Sequence, residues 1–251
     1  MRPIIFSSLL AGLLVQGTAS AAINVIAYYR MGEDGTLTNG SAVDSSGNGN
    51  DILNAVNATG ITVSTSDPAP GSTAYYTFDG STQGFYSSNF APDDNFGIEA
   101  WVKVGDLMQG NTTIFSTGGN DGGLQLSFDN GSLAGALASS SFVGDAYTPS
   151  STDEWVHLAL VRADGVTTYY VNGVAYGDST SAGINSASTI HLGVSSGASA
   201  YFNGSIDEAR IFTFDSGAFS TSDLLAVPEP SIALLGLFGF GGMLFARRRS
   251  A

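Results

Sequence analysis

Short apolar segments separated by pairs of turn-forming residues run through most of the chain. Residues 155–162 read WVHLALVR, residues 166–171 read VTTYYV, and residues 174–176 read VAY. The dipeptides DG at 164–165 and NG at 172–173 connect them, and such pairs adopt the positive backbone angles that tight hairpins need. β-branched and aromatic residues are frequent in these segments, as they are in strands. The pattern predicts a three-stranded antiparallel meander whose first strand is buried on both faces for much of its length.

Further strand-like segments occur on either side of this meander. Outside the two ends of the chain, no long segment shows the periodicity of an amphipathic helix. Short strands with recurring turn signals indicate a β-sandwich, so we expect an all-β fold. The additional predicted strands cover residues 75–78, 96–103, 125–128, 132–134, 188–193 and 204–212.

Both ends of the chain depart from the strand pattern. Residues 1–21 combine Arg2, an apolar stretch and the small residues ASA at 19–21, which together predict a helical secretory signal peptide. At the other end, residues 231–246 are apolar, and a helix of that length barely spans the roughly 30 Å hydrocarbon core of a bilayer. The arginines behind this predicted transmembrane helix are expected to stay in the cytoplasm, with the bulk of the chain across the inner membrane.

The last 25 residues, 227–251, resemble the PEP-CTERM sorting signal of Gram-negative bacteria. The resemblance implies that exosortase, a membrane protease, recognises the tail and removes it. The inner membrane would then hold the precursor only transiently, and the mature protein would reach the cell surface or the medium. An ordinary single-span anchor is the alternative. The matching residues are Val227, Pro228, Glu229, Pro230 and Ser231, followed after the apolar run by Arg247, Arg248 and Arg249.

Motifs between the two signals are similar to those of laminin-G-like, concanavalin A-like lectin domains. They follow one another in the family's order from about residue 24 to residue 214. The resemblance implies a jelly-roll sandwich of two antiparallel sheets over residues 22–215, often with calcium at one edge, and leaves 216–226 as a linker. The motifs are AYYRM at 27–31, DSSGNGND at 44–51, FDG at 78–80, EAWV at 99–102, EWVHLALV at 154–161, YVNGV at 170–174 and FNGSIDEARI at 202–211.

The composition narrows the classes of partner and chemistry. The formal net charge is -14, and four of the eight basic residues lie at the two ends. An acidic surface repels phosphate backbones, so nucleic acid is not an expected partner. The charge is compatible with divalent cations, or it only keeps an exported protein soluble. The chain contains no cysteine, which excludes disulfides, thiolate zinc sites and cysteine nucleophiles.

Residues 44–51 suggest a calcium site. Calcium takes about six to eight oxygen ligands, and this loop offers carboxylate, amide and backbone oxygens. In the domains that the chain resembles, the strand that holds Asp207 pairs with the N-terminal strand. The alternative is that Asp44 and Asn48 only form side-chain-to-backbone turns. The predicted calcium ligands are Asp44, Asn48, Asn50 and Asp207.

The sequence does not indicate catalysis. Glycosidases usually need two carboxylates that face one cleft, and residues share a strand face only when an even number apart. Glu99 stands alone in its strand, and Asp207 and Glu208 are adjacent, so we expect them on opposite faces. Glu208 and Arg210 are expected to share a face and to pair. The two histidines fall within predicted strands, where packing is the simpler role. We assign no catalytic residue.

Aromatic residues in or near predicted loops are candidates for stacking on sugars. Ordinary packing at the rim of the sandwich is the alternative for these rings. The sequence as a whole predicts an exported, non-enzymatic binding or adhesion module for glycans or extracellular matrix, and tails of this kind are associated with biofilm. A structural matrix protein without a discrete ligand and a polysaccharide-degrading glycosidase remain the alternatives. The predicted ligand-binding residues are Phe142, Tyr147, Tyr201 and Phe202.

Overall fold

The structure is a computed structural model, and it shows two facing antiparallel sheets. The all-β sandwich predicted from the sequence is confirmed. The expected signal peptide at 1–21, sorting tail at 227–251 and transmembrane helix at 231–246 lie outside the described residues. Within the part of the chain that is described, no helix has the length and hydrophobicity that crossing a bilayer requires. The structure describes residues 23–32, 42–57, 60–88, 94–118, 123–137, 141–181 and 189–225.

Fifteen strands form the two sheets in these ranges. They are β1 (Asn24–Tyr29), β2 (Asn54–Val56), β3 (Thr62–Ser64), β4 (Tyr75–Asp79), β5 (Gly84–Ser88), β6 (Phe96–Val104), β7 (Thr112–Thr117), β8 (Leu124–Asp129), β9 (Ser132–Leu137), β10 (Ser141–Tyr147), β11 (Val156–Ala163), β12 (Val166–Val171), β13 (Val174–Ser179), β14 (Thr189–Leu192) and β15 (Asn203–Thr213). The eight-stranded sheet has the order β13-β12-β11-β6-β15-β4-β3, and β1 pairs with β15. The seven-stranded sheet has the order β10-β9-β8-β7-β14-β5-β2.

The core lies between the sheets and takes every second residue of the central strands. Ile98, Ala100 and Val102 of β6 are fully buried in it. Because side chains alternate along a strand, Glu99 and Trp101 lie on the outer face of the eight-stranded sheet. These two residues are buried as well, so other parts of the chain cover the outer face. The predicted burial of β11 on both faces has the same cause and is confirmed.

Residues 214–225, which we call the strap, pack on this outer face. Residues 216–226 are predicted from the sequence to be a linker, but as far as Leu225 they pack on the domain. The apolar side chains of the strap meet the outer residues of β11 and β15, so it buries hydrophobic surface as a domain segment does. This second cluster contains Ala159, Val161, Phe212, Phe214 and Leu224, with Phe219 partly buried against it.

A β-bulge interrupts β15 between Asp207 and Arg210. Glu208 occupies it with a φ of 49°, a left-handed conformation that glutamate rarely adopts. The extra residue brings Glu208 onto the outer face, where Asp207 also lies opposite Trp101, so the expected placement of Asp207 and Glu208 on opposite faces is wrong. The expected Glu208–Arg210 pair is wrong as well: Arg210 pairs with Glu99, and Glu208 lies near Arg30 instead.

The two sheets meet along one side through their edge strands, β10 and β13. Gly144 in β10 has a φ of 69° and lies directly against Gly177. A Cβ atom at residue 144 would come within 2.6 Å of the carbonyl oxygen of Tyr176. Glycine is therefore required for the close approach of these two strands.

Candidate functional site

One row of directly paired residues crosses all seven strands of the seven-stranded sheet. Their strand neighbours Phe85, Leu192 and Leu126 point into the core, so the row lies on the outer face. We call it the cross-sheet row. In order across the sheet it contains Asn54, Tyr86, His191, Ser116, Gln125, Ala136 and Phe142.

Exposed aromatic rings stand near both ends of the cross-sheet row. Tyr86 is 41% exposed and Phe142 is 55% exposed. Between them, His191 and Ser116 are buried polar residues, so the middle of the row is a polar floor between two raised rings. The rings of Tyr86 and His191 are stacked, with centroids 6.3 Å apart and an interplanar angle of 18°.

The two ring nitrogens of His191 differ in their hydrogen bonding. Its Nε2 lies 2.7 Å from the Thr189 hydroxyl oxygen. Its buried Nδ1 has no hydrogen-bond partner among the described residues. Burial lowers the pKa of His191, so the ring is neutral at neutral pH. A neutral imidazole carries one donor and one acceptor nitrogen, which suits exchange with a hydroxyl group.

A groove of about 220 Å³ adjoins the Phe142 end of the row. Its walls carry amides and hydroxyls, with one carboxylate and one exposed ring. Uncharged hydrogen-bonding groups beside an aromatic ring suit a neutral, hydroxyl-rich ligand better than a charged one. The lining includes Thr113, Gln125, Ser127, Asp129, Phe142 and Ser199.

The four aromatic residues predicted to bind ligand occupy different environments. Phe142 lines the groove, and Tyr201 is half-buried in an isolated bridge with Val194. The Tyr147 hydroxyl donates to Glu154 at 2.5 Å, and this bond raises the pKa of Tyr147 to about 12. Phe202 is fully buried in the core, which corrects its assignment, since a ring without exposure cannot stack on a ligand from solvent.

Sequence reasoning missed Tyr86 and His191 as site residues. The segment GFYSS at 84–88 was not predicted to be a strand, and His191 was assigned only a packing role. Their partnership depends on the pairing of β14 with β5, which joins segments about a hundred residues apart. The only local signal in the sequence was the adjacent pair Phe85-Tyr86, which could have indicated a strand. In the structure Phe85 is in the core and Tyr86 is exposed on the other face.

A larger cleft of about 580 Å³ lies on the outer face of the other sheet. The Tyr28 hydroxyl donates to Glu208 there, and Arg30 Nε lies 3.7 Å from Glu208 Oε1. Burial and the bond to Glu208 raise the pKa of Tyr28. Trp101 is only 3% exposed. The polar walls are engaged with one another, and the ring offers little surface for stacking.

The predicted calcium ligands are held by hydrogen bonds within the protein. The Asp44 carboxylate accepts four: from the N–H groups of Tyr28, Ser46 and Asn50 at 2.9 Å each, and from the Ser46 hydroxyl at 2.8 Å. Although burial opposes ionisation, these bonds keep the pKa of Asp44 below its usual value. Four bonds use the lone-pair capacity of a carboxylate, so Asp44 fits its turn-forming alternative better than it fits an ion.

The other predicted calcium ligands also have protein partners. The side-chain N–H groups of Asn48 and Asn50 donate to the carbonyl oxygen of Ile26 at 3.2 and 2.7 Å. Asp207 accepts bonds from the backbone N–H groups of Ala69 and Glu208. Across the described ranges, no group of three or more His, Cys, Asp or Glu residues is arranged to hold a metal. Calcium therefore stays a prediction that the geometry does not support.

A buried charged cluster lies beneath the end of the strap. Glu99 is fully buried and accepts hydrogen bonds from Arg210 Nε at 2.6 Å and from the Leu225 N–H at 2.8 Å. Its Oε2 also lies 3.0 Å from His157 Nε2. Arg210 Nη2 donates in addition to the carbonyl oxygen of Asp223 at 2.6 Å. These contacts join β6, β11 and β15 to the strap and leave the cluster closed to ligands.

Solved structures of low sequence identity share this fold. Domain 4 of AbnA, a GH43 extracellular arabinanase from Geobacillus stearothermophilus in complex with arabinotriose, matches with a TM-score of 0.57 at 21% identity, over 80% of this chain and 96% of that chain. The binding domain of botulinum neurotoxin serotype D matches with a TM-score of 0.54 at 16% identity, over 79% of this chain. The chain spans about half of that neurotoxin domain, 49%.

Family comparison gives two matches along the chain. No curated protein is detectably similar to it in sequence. The family described as the concanavalin A-like lectin/glucanases superfamily matches residues 70–216, and the PEP-CTERM protein-sorting motif matches residues 226–250. The first match covers more than half of the 251 residues and includes most of the two sheets. The chain thus belongs to the concanavalin A-like lectin/glucanases superfamily and carries a PEP-CTERM sorting motif.

Proposed function

We propose that this protein is an exported glycan-binding module whose ligand lies along the cross-sheet row. The observation that carries the proposal is the pair of exposed rings, Tyr86 and Phe142, at either side of a polar floor. Five strand-to-strand steps of ~4.8 Å separate the two rings, roughly 24 Å along the sheet. A span of this length favours an extended oligosaccharide over a monosaccharide.

The side chains of the row and its groove can contact both the apolar ring faces and the hydroxyl groups of a sugar. The apolar faces of the sugar rings would stack on Tyr86 and Phe142, as amphipathic surfaces do on aromatic rings. The hydroxyl groups would exchange hydrogen bonds with Gln125 of the row and with Asp129 and Ser199 of the adjoining groove, whose side chains are at least partly exposed.

The similar structures support a carbohydrate ligand by analogy. One of them is in complex with arabinotriose, and a structure of the neurotoxin D ligand binding domain is in complex with N-acetylneuraminic acid. Both are domains of this fold, at 21% and 16% identity. A shared fold alone does not carry a ligand from one protein to another. The argument for this chain therefore rests on its own row of residues.

Binding without bond cleavage fits the row better than hydrolysis does. A glycosidase needs two carboxyl groups roughly 5 to 9.5 Å apart at one cleft. None of the seven residues in the cross-sheet row is acidic, and Asp129 is the one acid among the groove residues named above. We therefore assign the row to equilibrium recognition. A glycosidase stays the second candidate because the family also contains glucanases.

The sorting motif gives the site its setting. The motif implies processing by exosortase and marks proteins that are exported in Gram-negative bacteria. The glycan would then be extracellular, either in the matrix or at the cell surface. Adhesion to such a matrix is the biological role that we propose.

A glycan array tests the proposal directly. The exported protein is applied to the array with and without a calcium chelator, and the affinity of each hit is measured by calorimetry. We expect Tyr86→Ala and Phe142→Ala each to weaken binding by about tenfold or more, equivalent to about 1.4 kcal/mol. Met108→Ala is the control, because Met108 is 90% exposed and lies outside the row.

Each outcome of this test has a defined meaning. Unchanged affinity in both aromatic variants would place the glycan on another surface. No hit on a broad array would favour a structural matrix role without a discrete ligand. Release of reducing sugar from any bound polysaccharide would restore the glycosidase alternative.

A further inference from the structure

The strap leads directly into the sorting motif. Its last residue, Leu225, is immediately followed by residue 226, where the matched motif begins. The side chain of Leu224 is buried in the second cluster, and the main chain of Leu225 is tied down as well. The folded domain is thus described as far as Leu225, the residue immediately before the motif.

The final turn of the strap is held by the buried charged cluster. The Leu225 N–H donates to Glu99 at 2.8 Å, and the Asp223 carbonyl accepts from Arg210 at 2.6 Å. Hydrogen bonds to charged groups are about twice as strong as neutral ones. Leu224 is the last strap residue in the second hydrophobic cluster. The bond from the Leu225 N–H to the buried Glu99 carboxylate therefore also holds the residue that immediately precedes the motif against the domain.

We infer that Glu99 and Arg210 hold the strap against the domain and thereby slow the processing of this protein. A peptide that binds in an extended conformation presents several consecutive residues, so residues that precede the motif would enter the protease along with it. In the docked strap those residues are bonded to the domain. Undocking of the strap would then precede cleavage and limit its rate. The strap takes no part in the bond-breaking step, and the inference is independent of the glycan site on the other sheet.

Loosening the strap should therefore speed up processing. The ring of Phe219 packs against the domain: its centroid lies 6.3 Å from that of the Phe212 ring and 6.1 Å from that of the Tyr170 ring. It is only partly buried, so Phe219→Ala should raise the undocked population by about tenfold rather than by the larger factor of a fully buried ring. Leu225→Pro loosens the strap in a different way, because proline has no N–H to donate to Glu99. Leu224 already has the extended backbone, φ −65° and ψ 156°, that a following proline prefers.

Processing is measured on the full-length chain in a Gram-negative host that encodes an exosortase. Pulse-chase immunoblotting gives the rate at which precursor becomes processed protein. Hydrogen exchange on the purified precursor reports the opening of residues 214–225. A third variant carries eight Gly and Ser residues inserted between Leu225 and Ala226, which adds slack while the strap stays docked. Met108→Ala is the control for an unrelated surface change.

The combination of variants separates strap opening from general destabilisation. We expect Phe219→Ala and the insertion each to accelerate processing by about tenfold, and Phe219→Ala to add nothing once the insertion is present. An unchanged or slower rate in variants whose strap exchanges faster would overturn the inference. So would a full effect of Phe219→Ala on top of the insertion. If Phe219→Ala does not accumulate, Leu225→Pro with and without the insertion decides the matter in the same way.

Discussion

Arg210 offers the sharpest test of what holds the eight-stranded sheet and the strap together. Its side chain is 12% exposed, and it pairs with Glu99, which is fully buried. The guanidinium also lies 5.3 Å from the ring of Phe212. Arg210→Met keeps most of the apolar stem but removes the charge and all of the hydrogen-bond donors. Glu99 is then left with His157 and the Leu225 N–H as its partners.

The cost follows from the burial of the carboxylate. Removing one partner of a buried ion pair costs about 3–5 kcal/mol, because the other charge stays buried without compensation. That is a large part of the roughly 5–15 kcal/mol by which domains are stable. In a domain of this size, each kcal/mol lowers the melting temperature by about 2–4 °C, so we expect a decrease of roughly 10 °C.

Urea unfolding followed by tryptophan fluorescence measures this loss. Trp101 is a suitable reporter, since its ring centroid is 5.3 Å from that of His157 in the cluster. Asp94→Asn is the control: the Asp94 side chain is 49% exposed and lies 3.0 Å from Arg162 Nε. Such a pair contributes about 0–1 kcal/mol. Equal losses in the two variants, or a loss below about 1 kcal/mol at Arg210, would refute the assignment of stability to the buried cluster.

Three further predictions concern pH, calcium and packing. Burial raises the pKa of Asp207 to about 7, against about 3.9 in an unfolded chain, so its contribution to stability is complete below pH 4 and is lost as the pH rises to 7. In the presence of chelator, urea melts at pH 5 and pH 8 should show that this loss disappears in Asp207→Asn. Asp44→Ala should lower the melting temperature equally with calcium and with chelator, because Asp44 bonds organise the 44–51 loop; an effect seen only with calcium would support the ion instead. Gly144→Ala should destabilise by about 1–3 kcal/mol more than Gly165→Ala in thermal melts, since both residues have positive φ but only residue 144 lacks room for a Cβ. Equal losses at the two glycines would mean that backbone strain alone, and not the contact with Tyr176, is responsible.

The sequence predicts the local parts of this fold well because hairpins are encoded locally. Asn130, Asp164 and Asn172 each precede glycine, and all three adopt the positive φ of 47° to 49° that tight hairpins need. The meander of β11, β12 and β13 follows from two of these turns and is confirmed. The apolar alternation in β6 likewise predicts which of its residues enter the core.

The candidate site is less accessible to sequence reasoning because it depends on non-local pairing. The cross-sheet row exists only when seven strands take a particular register, and four of them, β2, β5, β7 and β10, lie in segments that were not predicted to be strands. The bulge at Glu208 changes the partner of Arg210 without a local sequence signal such as glycine. The strap has the polar, glycine-containing composition of a linker, and only its spaced apolar side chains reveal that it packs.

The contact between Gly144 and Gly177 has a consequence for how copies of the protein coexist. An uncovered edge strand offers unpaired N–H and C=O groups, and two such strands from different molecules can join into a continuous sheet. Here the edge strands β10 and β13 contact each other so closely at Gly144 and Gly177 that a strand from another molecule has no room to pair at that point. Two copies of the protein are thereby prevented from joining into a continuous sheet at this point of the border.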